Sequence, residues 1–190
     1  MEPAELLDHV RRGDELAWEA FVRQYQARVF GLAYHYVGNR DDAGDLAQEV
    51  FIRVYQHLAQ LPVAGEVLPW LLRIARNACI DHLRRRKARP PLWDIPVEEM
   101  FSLSSPGPDP EAHHLAGLRR TLVHRALREL TELNREIILL KEIQGLPLEA
   151  IARMLEVPLG TVKSRSHRAR LELAQRLAHL GMSPEAAVTG

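Results

Sequence analysis

Arg73, Asn77, Asp81 and Arg84 recur at steps of four, four and three, so on a helix they share one face. Beyond them the chain runs through Arg84, Arg85, Arg86, Lys87 and Arg89. Between positions 69 and 89, seven Lys/Arg stand against one acid, Asp81, a local balance of plus six. One or two cations would complement a helix dipole. Five at one helix end suggest phosphate, with a solvated last turn as the bland alternative.

A second constellation lies near the other end. Residues 147 to 176 have helix-turn-helix grammar: a short helix, a Gly-containing turn, then a longer helix. Between Thr161 and Leu180 five Lys/Arg oppose Glu172, a balance of plus four, with the cations gathered in the N-terminal half. That half of a recognition helix reaches base edges in a major groove. Arg and Lys can contact guanine O6 and N7, while Ser and His offer adaptable hydrogen bonds. Lys163, Ser164, His167, Arg168 and Arg170 point away from the apolar row Val162, Ser166, Ala169, Leu173 and Leu177. A short side chain at Ser164 lets backbone approach DNA. A general transcription regulator would show the same motif.

Both constellations need helices to hold them. PWLLRIARNACIDHLRRRKAR, Pro69 to Arg89, reads as one amphipathic helix burying Leu71, Ile74, Ala75 and Ala78. Asp14 to Tyr36 is predicted as a long helix with the stripe Trp18, Phe21, Tyr25, Val29, Leu32 and Tyr36, most simply a core face, closed by Gly38-Asn39. DDAGDLAQEVFIRVYQHLAQL follows, with Leu46, Val50, Val54 and Leu58 facing the first helix and Pro62 ending it. Leu61 to Leu68 is a short loop. These three helices form a compact bundle over residues 1 to 89.

Residues 90 to 112 carry six prolines and no Lys or Arg, an extended acidic linker that includes Trp93, Met100 and Phe101. Stretched out, it would reach roughly 75 Å at ~3.3 Å per residue, or about 20 base pairs at ~3.4 Å each. From 113 to 181 the chain is a second helical unit. Leu115, Leu118, Leu122, Ala126 and Leu130 mark its first helix. Ile137, Ile138, Leu140 and Ile143 make a short apolar helix ended at Gly145. Pro147 opens the next, which buries Ile151, Met154 and Leu155, and Val157 to Gly160 is a tight turn. Residues 182 to 190 form a frayed tail.

Bulk numbers narrow the function classes. With 25 Lys+Arg and 25 Asp+Glu, only the distribution of charge can argue for nucleic acid. The lone Cys79 excludes an internal disulfide, fits a reducing compartment, and reads as a buried small apolar group. No signal peptide or membrane span is expected. His113, His114 and His124 lack closed-site spacing for zinc, and no cofactor is implied. Cys79, Asp81 and His82 do not converge as a catalytic set.

The segments DDAGDLAQEVFIRVYQHL, PWLLRIARNACIDHLRRR and LPLEAIARMLEVPLGTVKSRSHRAR, in this order, resemble bacterial sigma factors of the extracytoplasmic function group. The resemblance implies an all-α chain of two small helical domains, a region 2 bundle and a region 4 helix-turn-helix. It implies a cytoplasmic protein that binds RNA polymerase core and directs it to promoters. Asp45, Leu46, Gln48, Glu49 and Phe51 match the segment that docks on the β′ clamp helices, and the β flap is a further implied contact. Asn77, with the loop Leu61 to Leu68, matches the element that captures a flipped base at minus ten. An amide suits that role because it both donates and accepts. Arg73 belongs to the same face, and Arg84, Arg85, Arg86 and Lys87 match the part that holds duplex phosphate. Lys141, Lys163, Ser164, His167, Arg168 and Arg170 match the minus-thirty-five readers. An anti-sigma protein is an implied partner.

The loop LPVAGEVLP lacks the aromatic and Gly-Asp features common in relatives, and His167 occupies a position often aromatic. Three rivals remain at this level. A stand-alone helix-turn-helix regulator would need a dimerisation helix, and none is left over. A nuclease would need clustered carboxylates. An adaptor that binds only protein would show no salt-dependent DNA affinity.

Overall fold

The computed structural model describes residues 2–86, 122–123, 125–127 and 129–181. Lys87, the linker 90–112 with Trp93, Met100 and Phe101, His113, His114, Leu115, Leu118, His124 and the tail lie outside them. The chain divides into two compact units, Met1–Ile95 and Pro96–Gly190. Among the described residues every regular element is helical.

The first unit opens with a helix that the sequence reading left out, α1 (Pro3–Arg11). The Glu2 backbone N–H donates to the Glu5 carboxylate at 3.3 Å, and Leu6, Leu7 and Val10 are buried. Helix α2 (Glu15–Val37) is capped by Asp14, whose carboxylate accepts the Ala17 N–H at 3.1 Å. That bond, with His9 beside it, holds the Asp14 carboxyl below its usual range. The helix ends at Gly38, whose φ of 73° is left-handed and whose N–H donates to the Tyr34 carbonyl at 2.8 Å. Phe21, Val29 and Leu32 are buried as the stripe requires, but Tyr34 is buried in place of Tyr36. A helix flanked by α1 and by the two helices that follow it is covered over more than one row, so a single periodic stripe understates its buried face.

Helix α3 (Arg40–Tyr55) begins at Asn39, whose side-chain oxygen accepts the Asp42 N–H at 2.8 Å. Ala43, Leu46, Ala47, Val50, Phe51 and Val54 are buried. The helix stops before Leu58, contrary to expectation. Leu58–Gln60 tightens into a 3₁₀ turn, leaving Leu58 half-buried and sending Leu61 into the core instead. A second 3₁₀ turn, Ala64–Glu66, runs straight into α4 (Val67–Arg86). The helix thus starts two residues before Pro69. Proline is still tolerated there, because first-turn N–H groups have no intrahelical acceptor. Leu71, Leu72, Ala75, Ala78 and Cys79 fill the core side, while Ile74 is only half-buried. Burial pushes the Cys79 thiol up to about 12, which leaves it an inert apolar group.

In the second unit, helical residues 122–123 and 125–127 precede α5 (Glu132–Ile138), which begins ahead of Ile137, the first residue of the expected apolar helix. The helix continues as a π turn, Leu139–Ile143, closed by the Gln144 N–H on the Leu139 carbonyl at 2.9 Å. The wider turn puts Leu139 and Leu140 inside together and leaves Ile143 55% exposed, where an apolar row would have buried it. Gly145, at φ 68°, ends the run as expected. Helix α6 (Leu148–Leu155) follows Pro147, which occupies the cap position, and buries Ile151 and Met154 with Leu155 half-buried. The next turn is not made by glycine. Glu156 takes the left-handed conformation at φ 57°, and Gly160 lies inside α7 (Leu159–His179). On α7 Val162, Ser166, Ala169 and Leu177 are buried and Leu173 is half-buried.

Candidate nucleic-acid interface

On α4 the buried row places Arg73, Asn77 and Arg84 on the opposite side, and all three are exposed. Among the described residues Asn77 makes no hydrogen bond, so its amide keeps both donor and acceptor for a ligand. Arg84 lies 4.0 Å from Asp81, an exposed and weak pair. Arg85 is exposed and has no acid beside it among the described residues. Arg86 differs: it is tied to Asp42 at the start of α3, which also receives the Asn39 amide. His82 Nε2 stands 3.8 Å from the same carboxylate and has no hydrogen-bond partner among the described residues. Of the last-turn cations that the structure describes, Arg84 and Arg85 are therefore free to meet phosphate, while Arg86 has an internal competitor.

The loop before α4 is more ordered than a plain connection. Leu61 and Val67 are buried at its two ends and Val63 is 69% exposed between them. Helix α1 packs against both 3₁₀ turns, and α4 against the second.

On α3 the five residues matched to polymerase docking separate. Asp45 and Gln48 are exposed, and Glu49 is half-buried with Arg53 paired to it four residues on. Leu46 and Phe51 are buried in the bundle. The Phe51 ring stands edge-on to Trp18 at 6.3 Å, and Trp18 also meets Phe21 at 5.5 Å and Tyr55 at 5.1 Å. The Phe51 ring thus packs α3 against α2. The outer row is completed by Ile52 and Tyr55, each 50% exposed, which share a face with Asp45 and Gln48. Sequence reasoning missed these two. Exposed apolar groups at a helical step from an exposed acid were the available signal.

In the second unit Lys163, Ser164, His167 and Arg168 are exposed along one side of α7. The Ser164 hydroxyl donates to the Thr161 carbonyl at 3.1 Å, which keeps the side chain short and folded against its own helix. Lys163 and Arg168 have no acid partner among the described residues. Lys141 and Arg170 share one: Glu142 lies 3.5 Å from Lys141 Nζ and 3.7 Å from Arg170 Nε. The structure thus brings the π turn of α5 beside α7 and partly neutralises the cations there.

Among the described residues no group of three His, Cys, Asp or Glu is placed to hold a metal ion. No helix there is long and apolar enough to cross a membrane.

Comparison with known proteins adds a separate finding. The family model for Sigma-70 region 2 matches residues 21–89, and that for Sigma-70, region 4, matches residues 120–173. The RNA polymerase sigma-H factor of Pseudomonas aeruginosa is 36% identical over 181 residues, spanning 93% of this chain and 94% of that protein. The ECF RNA polymerase sigma-E factor of Escherichia coli K12 is 35% identical over 170 residues, spanning 87% and 88%. Among solved structures, CnrH in complex with the cytosolic domain of CnrY aligns with a TM-score of 0.64 at 20% identity, covering 94% of this chain and 99% of that one. The sigma factor RpoE of Bartonella quintana, solved with the anti-sigma factor NepR, aligns with a TM-score of 0.64 at 22% identity, covering 84% and 96%. At these identities the two structures show a shared fold.

Proposed function

The chain belongs to the extracytoplasmic function sigma factors, transcription initiation factors that direct RNA polymerase to promoters, and on that premise we propose how its surfaces divide the work. The row Asp45, Gln48, Ile52 and Tyr55 on α3 docks on the clamp helices of core polymerase, with Glu49 at its edge and Leu46 and Phe51 holding the row in place from inside. Asn77 and the loop Leu61 to Leu68 take an extruded base of the non-template strand at minus ten. Arg73, Arg84, Arg85, Arg86 and Lys87 hold phosphate beside it. Lys163, Ser164, His167, Arg168, Arg170 and Lys141 read the minus-thirty-five duplex. Residues 1–89 and 113–181 serve as the two binding domains, with 90–112 as the strap between them.

The observation that supports this most is an exposed amide without a partner among the described residues, set among exposed arginines on a helix whose other side is core. Extruding a base costs a few kcal/mol, and only groups not already engaged can offset it. In this reading the chain performs no chemistry of its own, works in the cytoplasm, and is held in reserve by an anti-sigma protein covering the α3 row.

The test uses the full chain with purified core polymerase on a promoter selected from a random library. Lys163→Ala and Arg168→Ala are expected to weaken binding to the upstream element, by about 1–3 kcal/mol where a base contact is lost. Asn77→Ala is expected to keep closed-complex binding and lose permanganate-detected opening. Opening that survives Asn77→Ala would remove the residue from the minus-ten role.

A further inference from the structure

Arg11 ends α1 and reaches a segment 50 residues further along the chain. Its Nη2 donates to the carbonyl oxygens of Leu61 and Pro62, each at 3.0 Å. Its Nη1 donates to the Asp8 carboxylate at 2.7 Å, which aims the guanidinium. Two consecutive backbone acceptors are thus met by one nitrogen. Such groups need a donor when they are drawn away from water, and the rigid fork of an arginine supplies it with little further loss of freedom. Immediately beyond these carbonyls stands Val63, 69% exposed. On its far side the Glu66 N–H donates to the Val63 carbonyl at 2.9 Å, and Val67 is fully buried. The tip is therefore held from both sides, and the upstream hold comes from α1. Arg11 and Asp8 lie outside the residues that the region 2 family model matches, 21–89.

We propose that Arg11 is a positioning residue for minus-ten recognition: it fixes the Leu61–Val63 backbone so that the loop tip and Asn77 present one pre-formed surface to the extruded base. This rests on the minus-ten role given above to Asn77 and the loop. Arg11 acts through the loop: its Nη2 is taken by the two carbonyls and its Nη1 by Asp8.

The experiment uses the full chain in reconstituted holoenzyme on a library-selected promoter, with the minus-ten segment pre-opened by mismatches and each non-template base there varied in turn. The readout is the ratio of affinity between the best and worst base at each position. Arg11→Met keeps the aliphatic stem and removes the donors. It is expected to flatten that ratio about tenfold at the captured position, with affinity for core polymerase and the minus-thirty-five preference held within about twofold. Arg11→Lys is expected to restore part of the ratio. A ratio unchanged in Arg11→Met but lost in Asn77→Ala overturns the proposal and leaves the minus-ten reading standing. Uniform weakening at every base, with the ratio kept, assigns Arg11 to stability alone and also overturns it. A ratio unchanged in both variants removes the minus-ten reading itself, and this proposal with it. Should Arg11→Met fail to fold, Asp8→Ala, which leaves the donors and removes the acceptor that aims them, is judged by the same outcomes.

Discussion

Ser166 carries a hydroxyl into the core of the second unit at 1% exposure, and its oxygen has no hydrogen-bond partner among the described residues. A buried donor left unmet costs roughly 1–3 kcal/mol. Ser166→Ala is therefore expected to raise the unfolding free energy by about 1 kcal/mol, read by urea titration. A decrease would show that the hydroxyl is satisfied. The step from Val162 through Ser166 to Ala169 made its inward direction legible, because direction depends only on helical geometry. Its lack of a partner was not, since that depends on what packs opposite. The same distinction explains the matched docking residues. Asp45 and Gln48 face outward, as polar groups on α3 should, whereas Phe51 is taken up by Trp18, a contact between different helices that no local pattern encodes. Glu156 marks another limit: a left-handed turn is readable when glycine makes it, and here a glutamate does.

At the scale of elements, the long helices were legible, and so was the eight-residue α6 with its inward Ile151 and Met154, whereas α1 and the irregular turns were not. Helices α2, α3 and α7 carry three or more turns of apolar spacing. Helix α1 has nine residues, too few for periodicity to stand out, and it appears only because α2 and the two 3₁₀ turns give it a surface. The π turn in α5 has no sequence mark at all, and its wider pitch is why Ile143 emerges. One consequence in α5 can be measured. Burial pushes the Glu136 carboxyl from its ordinary 4.5 up to about 7. The folded state then holds the proton more tightly than the unfolded chain, so stability falls as pH rises from about 4.5 to about 7 and levels off beyond. Glu136→Gln removes this titration. Tm measured against pH should show the wild type losing ground to the variant across that window, and parallel curves would contradict the raised value.

At the scale of the whole molecule, the two units are suggested in the sequence by the change of composition over 90–112, rich in proline and without Lys or Arg, and the chain divides within that segment, into Met1–Ile95 and Pro96–Gly190. Zero formal charge gives no sign of either basic helix, and local counting along α4 and α7 is what singles them out. That counting could not show which cations keep company inside the fold. Asp42 sits on Arg86, and Glu142 on Lys141 and Arg170. Such a carboxylate is a captive counterion: if DNA displaces it, it stays beside the phosphate and holds back part of the DNA's own ion atmosphere. Each ordinary phosphate contact releases ions and adds about 0.9 to the slope of log affinity against log salt. One carboxylate left beside two such contacts retains about one of those ions, so salt titration of the holoenzyme on a minus-thirty-five duplex should undercount the contacts there by about one. Glu142→Gln removes one negative charge and should steepen the slope by about 0.9, while an unaltered slope would mean that Lys141 and Arg170 do not meet phosphate.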